Sequence, residues 1–159
     1  MECRTFEITL ISAHDLEDVR KICKMKVYAR VSIGGGGHGP PANEKRTPPD
    51  KHGQTNPAWN FMMRYTISER MLESHNSSLV VKLYCKRKLG DRYVGEVHTS
   101  MKELFECSKG SGGAAVLCFP VQRGCVNSQG GLRFSYRFGE KLVIDKLLLA
   151  EGLGGWIFS

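Results

Sequence analysis

AWNFMMRYTI, residues 58–67, decides the fold. Trp59, Phe61, Met63, Tyr65 and Ile67 share one parity. Alternate side chains of a strand point to opposite faces, so this spacing predicts a strand with one face on a core. The aromatic stripe reads as core rather than as a platform for stacking bases. Thr55-Asn56-Pro57 just ahead of it is a turn signal.

The same period recurs in both directions. Residues 4–11 place Phe6, Ile8 and Leu10 inward and Thr5, Glu7 and Thr9 outward. Residues 26–33 place Val27, Ala29, Val31 and Ile33 inward. The polar stretch between them, 13–25, reads as a connection with room for one helical turn. Residues 34–49 hold four consecutive glycines, Gly39-Pro40-Pro41 and Pro48-Pro49. Such a stretch predicts a long loop around a short edge strand near 44–47. It is no phosphate cradle, because G-x-x-x-x-G-K-[ST] is missing and no helix follows. Downstream, Ser68 opens a short helix over 68–74. Residues 80–97, VVKLYCKRKLGDRYVGEV, read as strand, charged loop and strand, with Val81, Leu83 and Cys85 inward. Gly90 suits the tight turn, and Gly95 a close backbone approach or a bulge. A second short helix over 101–107 has Ser100 and Glu103 at capping-box spacing. Residues 114–121 form a strand ending at or just after Pro120. The last strand, 132–138, has Leu132, Phe134, Tyr136 and Phe138 inward and Arg133 and Arg137 outward. Seven or eight short strands with little helix predict an antiparallel sandwich or barrel.

Composition narrows the function. The chain has 159 residues, enough for one domain with a real core, and its net charge of +7 with pI near 9.2 favours an anionic partner. No apolar run reaches the roughly 18 residues that span a bilayer. MECRTFEITL lacks the features of a signal peptide, so the chain reads as cytosolic, peripheral at a membrane. The six cysteines, Cys3, Cys23, Cys85, Cys107, Cys118 and Cys125, form no C-x-x-C pair and read as free thiols.

Three stretches carry a resemblance to the C2 domain: FEITLISAHDL (6–16), TNPAWNFMMRYTI (55–67) and LGDRYVGEV (89–97). The opening MECRTFEITLISAHDLEDV and the late GLRFSYRFGEK are similar in particular to the small plant C2 proteins of the soybean cold-regulated family. The resemblance covers residues 1–140 and implies an all-β, eight-stranded antiparallel C2 β-sandwich of the second, circularly permuted topology type. Residues 141–159 form a separate apolar tail, interrupted by Asp145, Lys146 and Glu151, which reads equally as a packed appendage, an interfacial anchor carrying Trp156 and Phe158, or a disordered end.

The resemblance also implies a loop tip that meets membranes, with acidic residues holding calcium in the calcium-dependent members. This sequence departs from that pattern. Lys26 stands at the aspartate of the KMD-x-Y motif, and Cys85 and Arg87 stand at the paired aspartates of the third loop. Asp91 is kept, and Asp18 stands near the first acidic position. A hard cation needs about 6 to 8 oxygen ligands, so no metal and no cofactor is expected. The replacements are basic: Arg20, Lys21, Lys24 and Lys26 on the first loop, and Lys86, Arg87, Lys88 and Arg92 on the third. These eight are the expected lipid-binding residues. Each cation near an anionic leaflet contributes on the order of 1 kcal/mol, so half of them would give roughly 4 kcal/mol, or about millimolar binding. Ile22, Tyr93 or Val94, or the tail, is the expected source of apolar insertion.

The reading is therefore a calcium-independent adaptor between an anionic membrane and a protein, in plant stress or defence signalling. Three readings compete with it. One is a calcium-dependent switch using Asp18 and Asp91. Another is a C2 module that binds only protein. The third, nucleic-acid binding, would need exposed aromatics beside the cations, and nucleic acid is not an expected partner. No enzyme is expected, because His14, His38, His52, His75 and His98 lack a nucleophile and an orienting acid at a recognisable spacing.

Overall fold

A computed structural model describes residues 1–34, 43–124 and 126–143, and the backbone of 156–157. In chain order the elements are β1 (Glu2–His14), β2 (Val27–Gly34), β3 (Lys45–Arg46), β4 (Ala58–Ser68), α1 (Glu69–Glu73), β5 (Ser78–Cys85), β6 (Arg92–Ser100), α2 (Met101–Lys109), β7 (Ala114–Arg123), β8 (Val126–Phe138), β9 (Leu142–Val143) and β10 (Trp156–Ile157). The strand order is β10-β4-β1-β8-β7-β6-β5-β2-β3, with β9 beside β1. This is one curled, mostly antiparallel sheet. It bends between β6 and β7, where pairing shrinks to Glu96 with Gln122. The bend needs Gly95, since a Cβ there would collide with the Val121 side chain. The β4-β1-β8-β7 half therefore lies over the β6-β5-β2-β3 half.

The alternation that predicted the strands also fills the core. Phe6, Ile8, Leu10, Val27, Val31, Tyr65, Ile67, Val81, Leu83 and Phe134 are all fully buried. Two polar tips cross between the layers, as buried Tyr and Trp require. The Tyr65 hydroxyl donates to the Val31 carbonyl at 3.1 Å, and Trp59 Nε1 donates to the Val27 carbonyl at 2.9 Å. Trp59 and Phe61 pack half-buried at the rim of the core.

The observed elements differ from the expected ones in four places. β8 starts at Val126 rather than 132, because NSQGG (127–131) shows no alternation yet pairs with β7 and β1. β7 runs through Pro120 to Arg123, and a register shift between Pro120 and Gln122 absorbs the missing N–H. The 13–25 connection has no helical turn; β1 simply extends to His14. Beyond the expected eight strands there are two-residue strands β9 and β10, and β10 runs parallel to β4. The edge strand near 44–47 is β3. Half of the glycine–proline loop, residues 35–42, and most of the tail lie outside the described residues, as do His38 and Cys125. Of the other cysteines, Cys3 and Cys85 are buried and Cys23, Cys107 and Cys118 exposed, all as free thiols.

Strand registers assign the two ends of the sandwich. Ser12 lies against Ala58, Val27 against Cys85 and Cys85 against Arg92, so the connections 15–26, 50–57 and 86–91 gather at one end. At the other end Cys3 lies against Ser68 and Ser78 against Ser100. There α1 and α2 start, each capped by the serine before it. Ser68 Oγ accepts from Met71 N at 3.2 Å and Ser100 Oγ from Glu103 N at 3.3 Å.

Candidate functional site

The first tip loop is held from beneath and left open above. Ala13 N and Leu16 N donate to the carbonyls of Pro57 (2.9 Å) and Thr55 (3.0 Å), and Asp15 N donates to Asn56 Oδ1 (3.0 Å). Leu16, Val19 and Met25 are buried and act as plugs. Between Val19 and Met25 the chain leaves the surface, with Lys21, Ile22, Cys23 and Lys24 exposed, and Lys26 just beyond Met25 is exposed as well. Asp18 Oδ1 accepts the N–H groups of Lys21 (2.8 Å) and Arg20 (2.9 Å), which hold its carboxyl below the usual range. The Arg20 guanidinium is half-buried and folds back toward the Lys24 carbonyl at 3.4 Å.

The third loop is joined to the first by Lys86 N, which donates to the Lys26 carbonyl at 2.9 Å. Gly90, at φ 109°, makes its turn. Asp91 accepts from the Tyr28 hydroxyl and from Arg87 N at 3.3 Å. The Tyr28 bond is the main reason that this carboxyl is held low. Tyr28 is fixed in turn by Arg30, whose Nη2 reaches its hydroxyl at 3.0 Å and whose guanidinium lies 4.1 Å over the Tyr84 ring. Arg87 turns inward, with Nε on the Gly90 carbonyl at 2.9 Å.

The structure thus brings the eight predicted cations to one end of the sandwich but sorts them. Lys21, Lys24, Lys26, Lys86, Lys88 and Arg92 are exposed, while Arg20 and Arg87 are half-buried and tied to loop carbonyls. Among the described residues none of the eight makes an ion pair within 4.0 Å. Lys51, on the neighbouring turn, is a further exposed cation that the pattern did not single out.

The apolar part of the tip needs correcting. Val94 is only 1% exposed and faces the core, and the half-buried Tyr93 donates its hydroxyl to Glu96, so neither is at the apex. The apex residues are Ile22 and Leu89, each 96% exposed. Leu89 was legible as an apolar residue inside KRKLGDR, a run in which no other residue is apolar.

The carboxylates do not make a calcium cup. Asp18 is taken up by its own turn, Asp91 by Tyr28 and Arg87 N, and Asp50 accepts from Ala58 N (2.9 Å), His52 N (3.0 Å) and Gly53 N (3.2 Å). Cys85 is buried beneath the third loop, and Lys26 is exposed where the motif has an aspartate. Among the described residues no three His, Cys, Asp or Glu side chains converge as metal ligands. This donor set does not fit a cation that needs about 6 to 8 oxygens. No helix among the described residues is long and apolar enough to cross a membrane.

Comparisons with known proteins agree with this architecture. The chain is 35% identical over 140 residues to Protein SRC2 of Glycine max, an alignment covering 88% of this chain and 48% of that protein. It is 37% identical over 142 residues to Protein SRC2 homolog of Arabidopsis thaliana, covering 89% and 42%. The chain therefore spans about half the length of these curated relatives. The fold matches a C2 domain of plant Extended Synaptotagmin 1 with a TM-score of 0.63 at 14% identity, over 85% of this chain and 93% of that one. It matches human GIVD cytosolic phospholipase A2 with a TM-score of 0.66 at 15% identity, over 91% of this chain and 19% of the other. The C2 domain family model matches residues 4–114, and the chain belongs to the C2 domain family.

Proposed function

We propose that the chain is a calcium-independent adaptor that docks its loop tip on anionic phospholipid and holds a protein on another surface. One observation carries this reading. Six exposed cations without a carboxylate partner among the described residues surround two nearly fully exposed apolar side chains, Ile22 and Leu89, on adjoining loops. A cation near an anionic leaflet is worth about 1 kcal/mol, and an apolar side chain removed from water about 1.5–3 kcal/mol. The two together exceed what charge alone supplies. Asp15, Asp18 and Asp91 temper the basic field without removing it, and Glu17 is paired with Arg123 at 3.3 Å. The membrane and protein roles follow the C2 family; a place in plant stress or defence signalling follows only the resemblance to the SRC2 proteins.

The test is co-sedimentation with phosphatidylserine-containing and with purely phosphatidylcholine vesicles, each in calcium and in chelator. Binding to the acidic vesicles alone, equal in both conditions and falling with salt, is expected. Changing Lys86, Arg87 and Lys88 to Glu together should weaken it about 100-fold. Binding that needs calcium would replace this reading with a calcium switch through Asp18 and Asp91. Absence of binding in every arm would leave a protein-binding module.

A further inference from the structure

The outer face of the β4-β1-β8-β7 half has no part in the tip. Its registers set up two rows. Met62, Thr9, Ser135 and Val116 lie side by side, and next to them Arg64, Glu7, Arg137 and Ala114. The centre is low because its side chains are small. A hollow of about 310 Å³ opens over Ser135, lined by Glu7, Thr9, Ala114, Val116 and Arg137. Val116, 56% exposed, belongs to this lining, and Met62, 53% exposed, lies beyond Thr9 in the same row.

Charge on this face is one-sided. Glu7 is already paired with Arg64 at 2.8 Å. Arg133 and Arg137 are exposed, and their guanidinium groups make no hydrogen bond or ion pair among the described residues. Both project from β8 on the face of Ser135, two residues before and two after it. A strand rises about 3.3 Å per residue, so the two guanidinium groups stem from points about 13 Å apart. An extended peptide has the same repeat. Carboxylates four residues apart on it would meet both arginines, while the residue midway between them points into the hollow. Arginine suits this task because its planar fork takes a carboxylate through two parallel bonds.

We propose that this face binds an extended acidic protein segment with carboxylates at positions i and i+4 and an apolar side chain at i+2. The face gives the protein-holding half of the adaptor reading a location. It lies along the side of the sandwich, since the strands run from the tip to the helical end, so tip docking leaves it open. A planar lipid surface would meet the rim of the hollow but not its floor.

The experiment uses the full chain and a fluorescein-labelled peptide containing Asp-Thr-Val-Thr-Asp, with Lys-Thr-Val-Thr-Lys as control, read by anisotropy. Salt-sensitive binding of the acidic peptide alone is expected. Arg133→Glu with Arg137→Glu should weaken it at least about tenfold. Val116→Asp, which sets a carboxylate in the lining, should weaken it too and covers the case in which the double variant fails to fold. Acidic-vesicle binding should be unchanged in these variants. Equally tight peptide binding by the variants, or none by the parent, overturns the proposal. So does loss of vesicle binding in place of peptide binding, which would make this face a second membrane surface. Failure of the tip reading shows only in the vesicle arms, and failure of this one in the peptide arms.

Discussion

The two ends of this sandwich are built from similar charged residues and use them in opposite ways. At the helical end the charges answer one another. Arg4 reaches Glu69, donates to the Gly139 carbonyl at 3.1 Å and lies 5.0 Å over the Phe105 ring. Lys109 pairs with Glu106 at 3.5 Å and lies over the same aromatic ring. At the tip the carboxylates are turned onto backbone N–H groups and Tyr28, and the lysines face water. A charge matched within its own chain stabilises the fold; a charge left over is available to a partner. The position of the carboxylates, more than the count of cations, separates the two ends.

Four changes test that contrast, from the largest effect to the smallest. Trp59→Ala removes the indole that ties β4 to the Val27 carbonyl beneath the tip. It should cost about 3 kcal/mol in chemical denaturation, and it shows whether the tip depends on the core below it. Ile22→Ser with Leu89→Ser should leave stability unchanged and weaken acidic-vesicle binding about 30-fold, counting about 1 kcal/mol for each partly inserted side chain. Undiminished vesicle binding would make the tip purely electrostatic. Arg4→Ala should do the reverse. It strands Glu69, which is 14% exposed, and should lower stability by about 1–2 kcal/mol while vesicle binding stays at the parent level. The smallest effect is that of pH. Asp18, Asp50, Asp91 and Glu96 all have folded pKa values below their usual ones. For Glu96 and Asp50 burial pushes the other way and is outweighed by hydrogen bonds, from Tyr93 and His98 and from three backbone N–H groups respectively. A lowered folded value means that the stabilisation is complete above the unfolded pKa, near 3.8 for Asp and 4.5 for Glu, and is lost as pH falls through the folded value. Thermal melts should therefore be flat above about pH 5 and decline below about pH 4. Asp91→Asn should reduce that decline.

Prediction from sequence succeeded where the physical signal is local. The period of two in β1, β2, β4 and β5 placed their inward residues correctly, because burying one face of a strand demands alternation. Ser68 and Ser100 were recognisable as caps because capping involves neighbours only three residues away. The first half of β8 was not recognisable, since NSQGG takes its strand geometry from β7 and β1 on either side. Val94 was misread for a related reason: it lies beside an exposed loop in sequence but below the bend at Gly95 in space.

The sequence by itself determined the alternating strands of an all-β fold and the basic character of the 15–26 and 86–91 connections. Composition and spacing contain these properties whatever the chain does at long range. Only the tertiary structure decided which charges are left over. Arg87 and Arg20 are as basic as Lys88 in the sequence, yet their guanidinium groups are turned onto loop carbonyls. Asp91 reads in the sequence only as a loop acid, and the structure shows Tyr28, 63 residues earlier, donating to it. Arg133 and Arg137 gain their setting only when β1 and β7 close on either side of β8. Coulomb and hydrogen-bond energies depend on distance in space, and sheet registers that join residues far apart in the chain set those distances.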